Sequence, residues 1–463
     1  MFGLTKTLCV VALLCGAAPA LAAPDPGTFR KQLDAFVEQE MRTEKVPGTS
    51  VAVLHKGQVV VAKGYGLANV EHDVPVTPET IFQSGSVGKM FTAAVVMLQV
   101  EQGKMSLDDP LSKYVPNAPA SWRPITIRHL LTHTSGIPNV GDDFDFKRNY
   151  TDDELLKGFE ALPLNFQPGA RYSYSNSGYV ILGIVVQRAT GRFYGDILKT
   201  DIFQPLGMKT ARVISDRDIV PHRAAGYEMV DGELKNQDFV SVKMNSTADG
   251  SLYFSLNDMI AWALGVEQGR VLSAASWKQV YTPVQLNSGK TYPYGFGWDV
   301  DTAGGSPRYH HGGSWQGFRS YYSRYLGDDL VILFLANSAE ANTEIFVDGI
   351  AKLWDPALVA VPRPKPEPAT ARRVTGLIEA ARVGGVRQQD VPLAPPNFLD
   401  TQKPYWIKDL KELGALTKLD LIQRKESGDD IDYIFEGTFG QRVVRVYYSV
   451  APGNQASNFF LSL

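Results

Sequence analysis

Strand-like segments lie at both ends of a long and mostly helical region, and this arrangement most constrains the fold. The segment GTSVAVLHKGQVVVAKGYG, residues 48–66, is typical of two β-branched strands joined at Lys56-Gly57. Strand character returns in YGFGWDV from Tyr294 and in FRSYYSRYLGDDLVILFLANS from Phe318, with a turn at 327–329. The pattern predicts an α+β domain with one antiparallel sheet built from both ends of the domain and flanked by helices.

The chain begins with the features of a cleavable secretory signal, which we assign to residues 1–22. Lys6 precedes an apolar run that ends in Ala20-Leu21-Ala22, the small-residue pattern of a cleavage site. The run is too short to span a bilayer of about 30 Å comfortably. We therefore expect a periplasmic or secreted protein without a stable membrane anchor.

The rest of the chain divides into a main domain, residues 23–360, and a smaller one, residues 371–463. Between them VPRPKPEPAT, residues 361–370, alternates proline with charge and predicts a semi-rigid linker. The smaller domain contains a predicted helix in YWIKDLKELGALTKL and alternating strands in IDYIFEGTFGQRVVRVYYSV. A small accessory α+β domain is expected there, and its role is left open.

Composition excludes several classes of function. The 463 residues are 44% hydrophobic and 21% charged, which is ordinary for a soluble globular protein. Cys9 and Cys15 both lie in the predicted signal, so the mature chain would lack a disulfide and a cysteine nucleophile. Removing Lys6 from the 46 basic residues leaves 45 against 49 acidic ones, a net charge of −4. A nucleic-acid partner is not expected, and the oligomeric state is open.

The first candidate for chemistry is Ser86-Val87-Gly88-Lys89, at the start of the apolar segment QSGSVGKMFTAAVVMLQVEQG. A spacing of three on a helix places Ser86 and Lys89 on one face. An apolar helix would desolvate Lys89 and favour its neutral form, and an amine beside a hydroxyl activates a nucleophile. The motif alone is too short to decide the function.

Two further segments contain groups suited to the same chemistry. In PGARYSYSNSGYVILG, Tyr174 and Asn176 precede an apolar helix, where the phenol can relay a proton and the amide can donate to a substrate carbonyl. In RYHHGGSWQGF, Gly312 and Gly313 allow a backbone to approach a ligand closely, and the following amide can face an oxyanion. His311 is expected to supply a donor or a positive charge at the edge of this cleft.

The order S-x-x-K, Y-S-N and H-G-G resembles the serine β-lactamase and penicillin-binding protein family. It is most similar to the class C branch, which includes D-Ala-D-Ala carboxypeptidases, D-aminopeptidases and carboxylesterases. IRHLLTHTSGIPN and IFQPLGMKTAR also resemble that branch, and the resemblance covers Phe29 to Trp354. It implies an α/β/α sandwich with a mainly helical lobe.

The resemblance also implies roles for individual residues. The implied catalytic residues are Ser86 as the nucleophile, Lys89 as its proton partner and Tyr174 as the general base. The implied substrate-binding residues are Asn176, His311, Gly312 and Gly313. The implied oxyanion hole consists of the backbone amides of Ser86 and Ser314. No metal and no organic cofactor is implied.

These residues predict an exported serine hydrolase that forms an acyl-enzyme on Ser86. The resemblance implies amide or ester substrates, above all peptides that contain D-amino acids. A carboxylesterase or a β-lactamase of the same fold is an alternative, although the K-T-G of many β-lactamases is absent, since Tyr292 follows Lys290-Thr291. A different alternative is a non-catalytic sensor of penicillins or peptidoglycan fragments.

Four other residues were weighed for function and given structural interpretations. His129 and His133 are spaced like a metal pair on a helix, but no glutamate or third ligand accompanies them. Arg308 and Arg319 flank the third motif and would suit a substrate carboxylate. Placement at a strand edge is the simpler interpretation of both.

Overall fold

The computed structural model describes residues 24–140, 144–360, 363–394 and 398–462. The predicted signal peptide, with both cysteines, lies outside the described residues, as do the first two residues of the predicted linker. Within these ranges, no helix combines the length and the apolar character needed to cross a membrane.

The helices along the described residues are α1 Pro26–Glu44, α2 Gly88–Glu101, α3 Ile127–Leu131, α4 Asp152–Glu160, α5 Asn176–Thr190, α6 Tyr194–Ile197, α7 Gln204–Leu206, α8 Leu256–Glu267, α9 Ala274–Val280, α10 Thr343–Trp354, α11 Pro368–Arg382 and α12 Phe398–Leu413. The strands are β1 Gly48–His55, β2 Gln58–Asn69, β3 Val74–Pro75, β4 Ile81–Gln83, β5 Arg212–Val213, β6 Tyr227–Val230, β7 Glu233–Asn236, β8 Leu252–Ser255, β9 Val284–Gln285, β10 Thr291–Tyr292, β11 Asp299–Ala303, β12 Ser306–Trp315, β13 Phe318–Tyr325, β14 Leu330–Ala336, β15 Leu416–Ser427, β16 Asp430–Phe439, β17 Arg442–Ala451 and β18 Gln455–Ser462.

The main sheet joins the two ends of the main domain, as the sequence predicts. Its strand order is β11-β12-β13-β14-β1-β2-β3, and β1 pairs antiparallel with both β2 and β14. Lys56 and Gly57 have φ values of 50° and 70°, which is the left-handed geometry of a tight hairpin turn. The α+β fold with an antiparallel sheet is therefore confirmed.

Helices cover both faces of this sheet because its strands alternate between two cores. Val51 and Val53 of β1 face a core shared with α1 and α10, whereas Ala52 and Leu54 face the core shared with α2, α5 and α8. Apolar residues on opposite faces of one strand require a cover on each side. The α2 side is the larger layer, and it contains the helical lobe.

The smaller domain is a four-stranded antiparallel sheet, β15-β16-β17-β18, against which α11 and α12 pack. Helix α11 begins at Pro368, inside the predicted linker, because a proline in the first turn lacks only an amide that would be unpaired anyway. The helix predicted over 405–419 ends at Leu413. Gly414 follows with φ of 77°, and β15 begins at Leu416.

The strand predicted from Tyr294 begins only at Asp299, because the backbone first bends around the start of α2. Gly297 has φ of 76°, and a Cβ there would lie 2.7 Å from the carbonyl oxygen of Lys89. The bend needs a glycine because its backbone is left-handed and because it packs too closely on the Lys89 carbonyl for a side chain. Ahead of this bend, the Tyr294 hydroxyl lies within hydrogen-bonding distance of His133 and His311.

Candidate active site

Ser86 lies in a short 3-10 turn, Gly85–Val87, that leads directly into α2. Gly85 has φ of 48°, so the turn favours a residue without a side chain at this position. Ser86 remains partly exposed, whereas Lys89, in the first turn of α2, is 0% exposed. The Lys89 Nζ is 3.0 Å from the Ser86 Oγ. The structure thus brings the predicted pair into contact, with the hydroxyl accessible and the amine buried.

The Lys89 amine also donates to two oxygens that can only accept. These are Asn176 Oδ1 at 2.7 Å and the carbonyl oxygen of Asp249 at 2.5 Å. A neutral amine has two N–H groups and one lone pair, so the two carbonyl oxygens use both N–H groups. The lone pair then faces Ser86. Burial lowers the pKa of Lys89 to about 8, and the nearby Asp249 carboxylate opposes this shift.

Tyr174 lies over the same amine, at the end of the segment that precedes α5. Lys89 Nζ is 4.9 Å from the centroid of its ring, and the His133 ring is 4.2 Å away on a tilted plane. The Tyr174 hydroxyl is buried without a hydrogen-bond partner. Burial raises its pKa well above the ordinary value, although the adjacent Ser86 hydroxyl acts in the opposite direction.

A set of backbone contacts fixes the segment that contains Tyr174 and Asn176. Ser175 is the N-cap of α5, and its hydroxyl accepts from the amide of Gly178. Asn139 Oδ1 accepts from the amide of Asn176 at 2.6 Å, and its Nδ2 donates to the carbonyl of Tyr174. Because Asn176 Oδ1 accepts from Lys89, the Nδ2 group of Asn176 is the part of this amide that can donate to a substrate carbonyl.

The third motif lies in the second half of β12. A Cβ on Gly313 would be 2.2 Å from the carbonyl oxygen of Ser84, and a Cβ on Gly85 would be 2.4 Å from the amide nitrogen of Ser314. Glycine at both positions therefore lets β12 pack directly on the turn that contains Ser86. This contact places the Ser314 amide next to the turn that contains Ser86, an arrangement compatible with the predicted oxyanion hole.

A chain of hydrogen bonds connects the second and third motifs. The Ser175 amide donates to His133 Nδ1 at 3.0 Å, so this nitrogen carries no proton. His133 Nε2 must then donate to the Tyr294 hydroxyl at 3.2 Å, and Tyr294 donates to His311 Nε2 at 3.0 Å. His311 Nδ1 donates to the carbonyl of Gly312 at 2.6 Å. One assignment satisfies every partner, and in it both histidines are neutral.

His311 therefore does not supply the donor or positive charge expected from the sequence. It is 3% exposed, and both of its ring nitrogens are occupied by Tyr294 and Gly312. Burial lowers the pKa of His311 to about 4 and that of His133 well below its ordinary value. The third motif positions backbone without contributing a cation, because desolvation outweighs the other influences on its histidine.

The comparisons with known proteins agree with this geometry. The profile of the family described as Beta-lactamase matches residues 33–352. The chain belongs to the β-lactamase family.

The relatives of this β-lactamase-family chain support a serine hydrolase. Penicillin-binding protein 4* of Bacillus subtilis strain 168 is 29% identical over 78% of this chain and 84% of its own length. A D-aminopeptidase of Brucella anthropi is 32% identical over 62% of this chain and 55% of its own length. That of Gluconobacter oxydans is 29% identical, and the match spans 60% of its length.

Solved structures show the same fold. The octameric penicillin-binding protein homologue from Pyrococcus abyssi has a TM-score of 0.62 at 25% identity, and the match covers 93% of this chain and 95% of that one. The penicillin-binding protein from Bacillus halodurans has a TM-score of 0.60 at 26% identity, over 68% of this chain and 98% of that one.

Four residues of this β-lactamase-family site were not predicted from the sequence to contribute to it. Each forms a hydrogen bond to a segment that contains a predicted site residue, and the four are His133, Asn139, Asp249 and Tyr294. His133 and Asn139 both lie in IRHLLTHTSGIPN, a segment that resembles the class C branch, so this resemblance was a signal for them. Asp249 acts through its backbone, and Tyr294 is paired across the fold, so neither has a local sequence signal.

Three other residues considered for function, His129, Arg308 and Arg319, do not contact Ser86. His129 accepts from the Thr126 amide in a capping box at the start of α3. Arg308 pairs with Asp301 at 3.0 Å. Arg319 donates to the Ser314 hydroxyl. Because neighbouring residues of a strand alternate between its two faces, the side chains of Arg308 and Arg319 lie on the face opposite to the one on which Gly313 meets Ser84.

Replacing Tyr294 by phenylalanine is expected to lower kcat about tenfold with little change in KM, because the ring remains while both histidine contacts are lost. Steady-state kinetics and circular dichroism of the variant measure this. Tyr292→Phe is a matched control, since that tyrosine stacks on Tyr172 through its ring and keeps this contact. Equal kinetics for the two variants would contradict a positioning role of the Tyr294 hydroxyl.

Proposed function

We propose that this protein is an exported serine hydrolase that forms an acyl-enzyme on Ser86 and cleaves amide bonds of compounds containing D-amino acids. One observation carries the proposal: a fully buried amine with two carbonyl partners directs its third position at an accessible serine hydroxyl 3.0 Å away. A structural lysine would instead be expected to meet a carboxylate or to reach solvent.

In the proposed acylation, Ser86 Oγ attacks the substrate carbonyl carbon while its proton moves to Lys89 Nζ. The developing oxyanion would accept from the amides of Ser86 and Ser314, and one such donor is typically worth about 3 kcal/mol in the transition state. The proton then passes to the leaving nitrogen as the C–N bond breaks. Water subsequently attacks the ester carbonyl while one of its protons moves to Lys89 Nζ, and Lys89 returns that proton to Ser86 Oγ as the C–O bond breaks and the acid is released.

The two pKa shifts favour Lys89 over Tyr174 as the proton acceptor. Burial lowers the pKa of Lys89 to about 8, whereas it raises that of Tyr174 well above its ordinary value. A base whose pKa lies near the working pH is the more effective one. Tyr174 is then a neutral donor that can carry the proton from Lys89 to the leaving group, a narrower role than the general base implied by the resemblance.

The third motif has no cation that could bind a carboxylate. This favours substrates that place no terminal carboxylate next to it. His311 is neutral, and Arg308 and Arg319 lie on the other face of the sheet. A D-amino-acid amide is therefore preferred to a D-Ala-D-Ala peptide as substrate. The D-aminopeptidases among the relatives support the same class.

A substrate panel tests this proposal. Turnover of D-alanine amide, L-alanine amide, a D-Ala-D-Ala peptide, nitrocefin and a p-nitrophenyl ester should be compared for the wild type and Ser86→Ala. The proposal requires the D-alanine amide to be hydrolysed with the highest kcat/KM among the amides and peptides. Faster hydrolysis of the ester alone would favour the carboxylesterase, and acylation by penicillin without any turnover would favour the sensor.

Export rests on the pattern of residues 1–22. Expression of the full chain in a bacterium should yield periplasmic or secreted protein that begins at Ala23. Retention of the intact N-terminus in the cytoplasm would contradict export and leave the hydrolase proposal unaffected.

A further inference from the structure

The turn between β15 and β16, residues 427–430, belongs to the smaller domain and contacts the main domain. Asp430 Oδ2 accepts from Arg171 Nη2 at 3.1 Å and from the Ser457 hydroxyl at 2.6 Å. The side chains of Arg171 and Asp430 are 31% and 18% exposed, so this ion pair is more shielded from water than an ordinary surface pair. Asp430 is thus held within its own domain while it binds the other.

The same turn contacts a second segment of the main domain, the β9–β10 hairpin. The Gly428 amide donates to the carbonyl of Thr291 at 2.9 Å. A Cβ on Gly428, which has φ of 62°, would lie 2.6 Å from Leu286 Cδ1. The left-handed backbone at Gly428 therefore favours glycine at this point. Lys290 and Asp429 add a looser ion pair at 3.7 Å.

Both contacted segments support the residues that precede Tyr174. Arg171 is three positions before it, and Tyr172 stacks on Tyr292 of β10 with ring centroids 3.7 Å apart. The backbone amide of Asn287, between β9 and β10, donates to the carbonyl of Gly169 at 2.8 Å. The turn at 427–430 therefore holds the Tyr174 segment both directly and through the hairpin.

A separate contact joins the two domains far from these segments. Arg445 Nη1 lies 3.1 Å from Glu344 Oε2, which also accepts from the Tyr447 hydroxyl at 3.0 Å. Glu344 belongs to α10, which covers the face of the main sheet opposite to α2. Attachment of the smaller domain does not by itself need the turn at 427–430.

We propose that the turn at residues 427–430 is a positioning element of the active site, in which Asp430 holds Arg171 and so fixes the Tyr174 segment over Lys89 and Ser86. This inference rests on the proposed function, because it assigns to the smaller domain the placement of a group used in that reaction. Asp430 and Arg171 are positioning residues that act through Tyr174. A small misplacement of such a group reduces the rate of a well-aligned reaction.

Asp430→Asn in the full chain tests the inference, with D-alanine amide or whichever substrate of the panel the wild type hydrolyses. We expect kcat to fall about tenfold and KM to stay within about twofold, since a positioning group acts mainly in the transition state. Arg171→Met should have the same effect, and the double variant should be no slower than either single one. Glu344→Gln is the control, because it weakens the other interdomain contact, and its kcat should equal that of the wild type.

Thermal unfolding of each variant separates positioning from loss of structure. Wild-type kcat in a folded Asp430→Asn, or an equal loss in Glu344→Gln, would overturn the inference. Additive losses in the double variant would also overturn it, because the two residues would then act independently. If the wild type neither turns over the panel nor labels on Ser86, the proposed function itself has failed, which is a different result from wild-type kcat in the variants.

Discussion

Ser86→Ala is expected to lower kcat on the order of 10⁶-fold, the largest effect of any single substitution in this protein. The side chain is partly exposed and its hydroxyl lies 3.0 Å from the Lys89 amine, so its loss should change the chemistry without changing the fold. Residual hydrolysis would reflect the backbone amides and substrate binding, which typically leave about 10³-fold catalysis over water. The measurement is single-turnover hydrolysis of the best substrate at high enzyme concentration.

Ser106→Ala is the control for this substitution, because Ser106 is an exposed serine that accepts from the amide of Asp108. It should retain wild-type kcat. A Ser86→Ala variant that kept more than about a hundredth of wild-type activity would exclude an acyl-enzyme on this residue, since nothing else at the site would replace the nucleophile.

Lys89→Met is expected to lower kcat about 10³-fold while the melting temperature stays equal or rises. The loss follows from removing the proton acceptor, which contributes roughly 10²- to 10⁴-fold. The stability follows from burial: a fully buried amine is costly to charge, and methionine fills a similar volume without that cost. Kinetics and calorimetry of the same preparation test both parts. A drop in melting temperature with kcat retained would show a structural lysine.

The pH dependence of the wild type follows from the same residue. Lys89 must lose its proton before it can accept one from Ser86, so acylation should rise with pH through about 8, where its lowered pKa lies. The folded pKa is below the ordinary value of 10.5, so the unfolded chain binds more protons between these two values. The free energy of unfolding should therefore rise with pH over that interval, and Lys89→Met should lack this rise.

The sequence predicted those parts of the protein that are encoded locally. Alternation in residues 48–66 and 318–338 predicted the sheet, and a three-residue spacing predicted the contact of Ser86 with Lys89. Both follow from the periodicity of one strand or one helix. The helix predicted through 405–419 was wrong after Leu413, since a single glycine ended it.

Pairings across the fold were beyond the reach of such patterns. The charge of His311 depends on Tyr294, which the bend at Gly297 brings beside it. The spacing of His133 from His129 resembles that of a metal pair. The actual partner of His133 Nδ1 is the amide of Ser175, which is 42 positions away and therefore has no local sequence signal. Asp430 meets Arg171 across 259 positions. Each of these contacts is set by packing between elements and not by a local spacing.

The most direct test of Ser86 as the nucleophile is mass spectrometry of the protein after incubation with a fluorophosphonate and, separately, with a fluorescent penicillin. We expect one adduct per chain with the fluorophosphonate, located on Ser86 in the peptide map, and none in Ser86→Ala. The penicillin should label the same serine and be released by hydrolysis. An unlabelled wild type, or an adduct that persists in Ser86→Ala, would contradict the assignment of Ser86 as the nucleophile.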